Sequence, residues 1–265
     1  MGAKWKMNCA LAIGGLDPGG GAGIVADLRA FTAAGAFGCA AIAVMTVQST
    51  RGIVSARAVP SREVVLQVRE VMRVQRVRAI KVGALGSRAN VRAVGALLEA
   101  AHGIPAVVDT PMRPTRGRAR LLEDRAIAAV RDALLPHAAV VTVNIAEAEA
   151  LTGLRVATVS DAHDAALALC RLGARAALVK GGHLGGSNAI DVLAIGGEAI
   201  ELRAKRLPLS ALHGSGCTFA SLVAGRIAAT NANVVDAVRW AKRVHHGALA
   251  RARDVGGAMR VVAFG

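Results

Sequence analysis

The 265-residue sequence predicts an α/β fold in which a mostly parallel central sheet is covered by helices on both faces. Short apolar runs alternate along the chain with longer segments of helical periodicity, and 54% of the residues are hydrophobic although only 2% are aromatic. A repeated order of strand, helix and strand implies right-handed crossovers between parallel strands. We therefore expect one three-layer α/β/α domain over residues 1–265, with residues 1–6 as a possible extension.

The predicted strands are short runs rich in Ala, Val and Ile, a composition typical of strands buried on both faces. They are Cys9–Ile13, Cys39–Met45, Ala79–Val82, Ala106–Asp109, Ala139–Val143 and Ala176–Val179. Helical periodicity occupies the segments between most of them and two segments near the end of the chain. The predicted helices are Gly23–Ala33, Arg62–Val74, Arg88–Ala101, Asp124–Leu135, Asp161–Leu172, Cys217–Ala229 and Val234–Arg251.

Two segments depart from this alternation. Gly52–Val59 is short and follows a strand directly, which predicts a small extra strand or flap. Ala189–Ile195 and Glu198–Arg203 are joined by Gly196 and Gly197, which predicts a β-hairpin at the edge of the sheet.

A formal net charge of +15 raises the possibility of a polyanionic partner. The basic residues are scattered, however, and the near absence of aromatic side chains disfavours base stacking, so we expect no nucleic-acid partner. A small anionic substrate fits the charge equally well. The four cysteines lie far apart, and no apolar run resembles a signal peptide or a membrane helix, so we expect a cytoplasmic protein without a membrane partner.

The first predicted strand leads into a glycine-rich turn, residues 14–23, that is followed at once by a helix. Such a turn at the carboxyl end of a strand is where open α/β sheets bind ligands, although it matches neither the Rossmann fingerprint nor the Walker A loop. A merely tight turn is the alternative. Asp27 and Gln48 could reach the same crevice and bind an aminopyrimidine or pyridine ring. Taken alone, Asp27 fits a helix-dipole acid better.

A second glycine-rich turn, His213–Thr218, opens a helix of small residues. The backbone N–H groups of a helix N-terminus form an anion site of the kind that phosphoryl transfer needs. The residues that we expect to provide it are Gly214, Ser215, Gly216 and Cys217. The helix dipole would lower the pKa of the Cys217 thiol, although a small buried cysteine is the alternative.

Four polar residues follow or end further strands of the predicted parallel sheet and therefore map to one edge of it. They are Asp109, Asn144, Glu147 and Lys180. Carboxylates hold Mg²⁺ directly or through water, and a lysine neutralises phosphate oxygens. Their shared location predicts a site for a metal ion and a phosphorylated ligand, while His183 is as consistent with a structural role.

Several motifs occur in a characteristic order. They are GLDP at 15–18, GGAGI at 20–24, ADL at 26–28, QST at 48–50 before Gly52, KVG at 81–83, Asn144 with EA at 147–148, KGGH at 180–183 and HGSGCT at 213–218. With these motifs the sequence, from about Leu11 to Leu249, resembles the hydroxymethylpyrimidine and phosphomethylpyrimidine kinases of thiamine biosynthesis, which belong to the ribokinase-like superfamily.

The resemblance implies a ribokinase-like α/β/α sandwich, a homodimer, and Mg²⁺-dependent transfer of the γ-phosphate of ATP to a pyrimidine hydroxymethyl group or its phosphate. It implies that backbone near Gly15 and the side chains of Asp27 and Gln48 hold the ring. It further implies roles for residues near the phosphates. These are an anion hole at 214–217 with Cys217 at the position of a general base, Mg²⁺ ligands at Asp109 and Glu147, and nucleotide contacts at Asn144 and Lys180.

The sequence departs from the family pattern mainly where the ring should bind. Ala84 replaces a usual Met, and Pro111 stands where Val is frequent. The smaller side chain would open room beside the ring, so a pyridoxal or pyridoxine kinase is the nearest alternative. A non-catalytic basic binding protein on a degenerate kinase fold is an alternative of another class. Residues 114–117 and 256–259 also depart from the family pattern.

Overall fold

A central sheet organises the molecule, as seen in a computed structural model that describes residues 7–109, 111–112, 121–182, 184–209 and 212–264. Within these residues, nine strands form it: β1 (Cys9–Leu16), β2 (Phe37–Ser49), β3 (Gly52–Ala58), β4 (Val77–Val82), β5 (Ala106–Val108), β6 (Val140–Asn144), β7 (Ala176–Lys180), β8 (Asn188–Ile195) and β9 (Glu198–Lys205). Their spatial order is β3-β2-β1-β4-β5-β6-β7-β8-β9.

The six strands at the centre of the sheet are parallel, while β3 at one edge and the β8–β9 hairpin at the other are antiparallel additions. The predicted mostly parallel sheet is therefore confirmed, and so are the extra strand and the edge hairpin. Because all the parallel strands point the same way, their carboxyl ends and the loops that follow lie along one edge, where open α/β sheets bind ligands.

The described residues contain eight α-helices. They are α1 (Gly23–Ala33), α2 (Ser61–Val74), α3 (Arg88–Ala100), α4 (Ile127–Ala133), α5 (Ile145–Thr152), α6 (Val159–Arg171), α7 (Ser215–Thr230) and α8 (Val234–Ala250). None of the helices in this part of the chain is long and apolar enough to cross a membrane.

Alternating side chains of the strands divide the interior into two cores. Leu11 and Ile13 of β1 pack in the core covered by α2 to α6, while Ala10 and Ala12 face the core covered by α1, α7 and α8. The second core uses small residues to bring α1 and α7 close together: a Cβ added at Gly225 would lie 2.8 Å from Ala34 Cβ. The three-layer arrangement predicted from the sequence is thereby confirmed.

Three local features differ from the sequence prediction. The predicted helix Asp124–Leu135 is shorter, because 3₁₀ turns flank α4 and Pro136 lacks the N–H needed to continue the helix. Helix α5 was not predicted, although Asn144 and Glu147 form its capping box. A small parallel pair, β10 (Leu212–His213) and β11 (Arg260–Val261), was also missed, and it carries the C-terminal segment to the second glycine-rich turn.

Candidate active site

A cavity of about 540 Å³ opens at the carboxyl ends of the parallel strands. Almost all of the residues that the sequence predicts for the site line it. They are Gly15, Gln48, Ala84, Asp109, Pro111, Asn144, Glu147, Lys180, Gly214, Ser215, Gly216 and Cys217. The two glycine-rich turns and the four strand-end residues thus meet around one ligand-sized space, while His183 and residues 114–117 lie outside the described residues.

Asp27 is the exception, because it is fully buried and does not line the cavity. Its carboxylate accepts hydrogen bonds from the Lys81 ammonium at 3.0 and 3.1 Å and from the Ser221 hydroxyl at 2.7 Å. The expected contact between Asp27 and a ligand ring does not fit this position. The residue instead ties α1 to β4 and α7, because its two partners, Lys81 of β4 and Ser221 of α7, meet at that carboxylate.

Lys81, which the sequence analysis treated only as part of a motif, lines the floor of the cavity. Burial disfavours its ammonium form, but the Asp27 carboxylate and other nearby negative charge raise the pKa of Lys81 above its ordinary value. Burial also raises the pKa of Asp27 above its ordinary value, although Lys81 and the Ser221 hydroxyl act in the opposite sense. Gly83 leaves room for the Lys81 ammonium, since a Cβ added there would lie 2.9 Å from Lys81 Nζ.

The second glycine-rich turn has the geometry of an anion site. Gly214 caps α7 in the left-handed conformation, with φ of 73°, and no side chain caps the helix. An added Cβ at Gly214 would overlap the carbonyl of Gly21, so the two glycine-rich turns touch. The N–H groups of the first turn have no partner within the helix and face the cavity, as anion binding requires.

Cys217 lies in this first turn, but its thiol is not activated there. Burial raises the pKa of Cys217 to about 12, and the nearby Lys81 lowers it less than burial raises it. The expectation of a lowered pKa is therefore wrong, because burial and the negative charges of Asp109 and Asp27 outweigh the effect of Lys81 and Lys180. At neutral pH Cys217 is a thiol.

Positively and negatively charged side chains alternate in the cavity wall beside the second glycine-rich turn. Lys180 Nζ lies 2.8 Å from Asp109 Oδ1, which also accepts a hydrogen bond of 2.8 Å from the Thr142 hydroxyl. Burial opposes ionisation of Asp109, but Lys180 and Lys81 lower its pKa below the ordinary range. A Cβ added at Gly216 would lie 3.1 Å from Lys180 Nζ, which places this ammonium beside the anion turn.

Glu147 is held by the capping box of α5. Its carboxylate accepts from the Asn144 N–H at 2.9 Å, and the Asn144 side chain accepts from the Glu147 N–H at 2.9 Å. Burial, together with the negative charge of Asp109, raises the pKa of Glu147 to about 7 although Lys180 acts in the opposite sense. Within the described residues, no three His, Cys, Asp or Glu side chains are grouped to hold a metal ion.

Several residues that the sequence analysis did not assign also line the cavity. They are Asp17, Lys81, Arg206, Lys242, His213, His245 and Met259. His213 and Asp17 were overlooked because glycines on either side dominate their motifs. Met259 reaches the cavity lining from the C-terminal segment and is itself buried.

The geometry agrees with comparisons against known proteins. A family model described as phosphomethylpyrimidine kinase matches residues 17–263. The chain belongs to the phosphomethylpyrimidine kinase family. A hydroxymethylpyrimidine/phosphomethylpyrimidine kinase of Streptomyces coelicolor is 42% identical over 255 residues, covering 96% of this chain and 93% of that protein. The predicted resemblance and the predicted kinase function in thiamine biosynthesis are confirmed, and the enzyme is a phosphotransferase.

Solved structures similar to this phosphomethylpyrimidine kinase family member include two related enzymes. An ADP complex of Bacillus subtilis pyridoxal kinase superposes with a TM-score of 0.88 at 28% identity, covering 97% of each chain. The phosphomethylpyrimidine kinase of Clostridium difficile superposes with a TM-score of 0.78 at 29% identity, covering 91% of this chain and 99% of that one. The ribokinase-like fold expected from the sequence is thereby confirmed.

Proposed function

We propose that this enzyme transfers the γ-phosphate of ATP to 4-amino-5-hydroxymethyl-2-methylpyrimidine and, in a second reaction, to its monophosphate. The family assignment supports the substrate, and the ADP and AMP-PCP complexes of related pyridoxal kinases support the nucleotide. One observation carries the proposal: Gln48 and the anion turn at 214–217 line the same cavity. A ring bound at Gln48 would therefore present its hydroxymethyl group within a site built for phosphate.

In this proposal the anion turn, residues 214–217, and Lys180 stabilise the charge of the transferred phosphoryl group. The transferred phosphoryl group carries charge on its equatorial oxygens, and preorganised N–H donors and a lysine stabilise that charge without reorganising. Gly216 and Cys217 supply N–H groups, and Lys180 supplies its ammonium from a position beside Gly216. Because such a transition state is loose, little base catalysis is needed, which is compatible with a protonated Cys217.

The two buried carboxylates Asp109 and Glu147 fit a Mg²⁺ ion. The pKa of Glu147 is raised to about 7 by burial and by Asp109, so negative charge at this position lacks full compensation. A Mg²⁺ site in a kinase takes one or two carboxylates and completes its shell with phosphate oxygens and water. Bound there, Mg²⁺ would neutralise and orient the phosphate oxygens. Asn144 would help by holding Glu147 in place, and Lys180 by pairing with Asp109.

Phosphorylation of pyridoxal or pyridoxine is the second candidate. Ala84 in the cavity wall favours it, and so does the likeness to pyridoxal kinase structures. Release of ADP from Mg-ATP should be measured with hydroxymethylpyrimidine, its monophosphate, pyridoxal and pyridoxine, one at a time. Turnover of the two pyrimidines is expected. Preference for pyridoxal or pyridoxine would show that the pocket is specific for these substrates instead. Absence of turnover with all four compounds would support the alternative of a non-catalytic binding protein.

We also propose that the enzyme is a homodimer. Strand β3 ends the sheet, and two valines near this edge are largely exposed: Val47 by 60% and Val54 by 80%. Unpaired, apolar edge strands are prone to pair with another chain. Light scattering should give twice the mass of 27.0 kDa, and Val54→Lys should shift the population toward monomer.

A further inference from the structure

Four hydrogen-bonded side chains, including that of Gln48, line the part of the cavity where the ring is proposed to bind. This part is called the ring end. Asp17 Oδ2 lies 2.7 Å from His213 Nε2, which in turn lies 3.1 Å from Gln48 Nε2. Thr46 Oγ1 lies 3.2 Å from Gln48 Oε1 and 2.7 Å from the carbonyl oxygen of Leu16. All four side chains belong to residues that line the cavity.

The proton of His213 can be located from these contacts. Asp17 accepts from the backbone N–H groups of Gly19 and Ala22, each at 2.8 Å. Burial opposes its ionisation, but the bonds from His213 and the two N–H groups lower the pKa of Asp17 below its ordinary value. A carboxylate at 2.7 Å requires a donor, so His213 carries its hydrogen on Nε2 and donates it to Asp17.

The amide of Gln48 must then present its oxygen to His213. An N–H of Gln48 cannot donate to a ring nitrogen that itself carries hydrogen. The contact with Thr46 gives the same answer independently, because its single hydroxyl hydrogen is donated to the Leu16 carbonyl and its oxygen is left as an acceptor. Both contacts are favourable when Gln48 Oε1 faces His213, where it shares the Nε2 hydrogen with Asp17, and Gln48 Nε2 donates to Thr46 Oγ1.

The His213 imidazole, which determines the direction in which the Gln48 amide faces, has little freedom to move. His213 is 5% exposed and pairs in β10 with Val261 of β11. A Cβ added at Gly21 would overlap the His213 ring and would lie 2.8 Å from Val261 Cγ1. Glycine at position 21 is therefore needed to admit the ring, and the C-terminal segment holds it from the other side.

We infer that Asp17 and His213 are positioning residues that fix the sense of the Gln48 amide and so make the site selective for a ring edge with an amino group beside a ring nitrogen. This inference rests on the proposed function, in which Gln48 meets the ring. After the contacts to His213 and Thr46, Gln48 keeps one acceptor and one donor for a ligand. An amide in this state binds a neighbouring amino donor and ring-nitrogen acceptor with two hydrogen bonds, as glutamine does with adenine.

The test compares two substrates whose ring edges carry the hydrogen-bond donor and acceptor in opposite positions. The 4-amino pyrimidine offers a donor beside an acceptor, whereas its 4-oxo analogue, 5-hydroxymethyl-2-methyl-3H-pyrimidin-4-one, offers a carbonyl beside N3–H. We expect wild-type kcat/KM to favour the amino substrate by about a hundredfold, since the reversed edge opposes like groups. Because Thr46 also holds the amide, His213→Phe is made in a Thr46→Val background, where the amide is then free to turn. Relative to Thr46→Val alone, we expect this ratio to fall about tenfold through the KM of the amino substrate, with kcat little changed.

Controls separate this inference from the proposed function and from misfolding. His163→Phe, which removes a histidine bonded to Glu201 away from the cavity, should leave the ratio unchanged. Failure of the wild type to phosphorylate the amino substrate would overturn the proposed function. An unchanged ratio when His213→Phe is added to a folded Thr46→Val enzyme would overturn only the positioning role. If that variant does not fold, ¹⁵N NMR of the wild-type imidazole decides, because hydrogen on Nε2 is expected and an unprotonated Nε2 overturns the inference.

Discussion

The two ends of the cavity are built differently. At the ring end, which contains Gln48, the Gln48, His213 and Asp17 side chains are joined to one another by hydrogen bonds. At the phosphate end, helix α7 has no side-chain cap and Glu147 has a pKa raised to about 7. The side chains of the first end hold one another in place before any ligand arrives and leave Gln48 one acceptor and one donor for it. The second end has backbone donors and charge that a ligand would complete. This difference indicates recognition at one end and chemistry at the other.

The strongest test of the difference removes one N–H group from the phosphate end. In Gly216→Pro the first turn of α7 loses a donor, although proline is tolerated near a helix start, so the fold should survive. We expect kcat to fall by about a thousandfold, the upper effect of losing one such donor. Gly216→Ala keeps the N–H and is the matched control, with a much smaller expected loss. Equal losses in both variants would show that space beside Lys180, rather than the donor, matters.

Glu147→Gln examines the proposed metal role at the same end. The amide keeps the size of the side chain and can still accept from the Asn144 N–H, but it binds a cation more weakly. We expect the Mg²⁺ concentration for half-maximal rate to rise by at least about tenfold, with unchanged KM for the pyrimidine. Glu149→Gln, on the same helix but outside the cavity lining, is the control. An unchanged Mg²⁺ dependence would refute the role of Glu147.

Cys217→Ala should have a smaller effect than either change. Its pKa of about 12 means that almost no thiolate exists at neutral pH, so a general base is not lost with the thiol. We expect kcat to fall by less than about tenfold and the pH dependence of kcat to keep its shape. A loss of a hundredfold or more, with a changed pH profile, would restore Cys217 as the base.

The last prediction concerns stability in acid rather than turnover. Burial lowers the pKa of His245 to about 3, although the imidazole contacts the Ser215 carbonyl at 2.9 Å. In the unfolded chain His245 binds a proton below pH about 6.5, whereas in the folded protein it stays neutral down to pH about 3. The neutral buried imidazole therefore contributes fully to the free energy of unfolding above pH 6.5, and this contribution is lost as the pH falls toward 3. Wild-type unfolding free energy should fall by roughly 1.4 kcal/mol per pH unit at most within this window. His245→Gln should flatten the slope in urea unfolding, whereas His102→Gln at an exposed position should not.

The sequence predicted the strands and most helices because each has a clear apolar pattern, and it placed Asp109, Glu147 and Lys180 at one edge from topology alone. It could not show that Asp27 turns away from the cavity to pair with Lys81, since that depends on contacts between α1, β4 and α7. The pKa of Cys217 was predicted in the wrong direction because burial cannot be read from a motif. His213 was missed because its partner Asp17 lies 196 positions away in the sequence.

Two-substrate kinetics of Gln48→Ala tests most directly whether the two ends of the cavity have separate tasks. Gln48 contacts the His213 and Thr46 side chains at the ring end, while Lys180 and Asp109 form the opposite wall. The account predicts a KM for hydroxymethylpyrimidine that rises by about tenfold or more, with the KM for ATP unchanged. An equal rise in both KM values, or no rise in the KM for the pyrimidine, would contradict it.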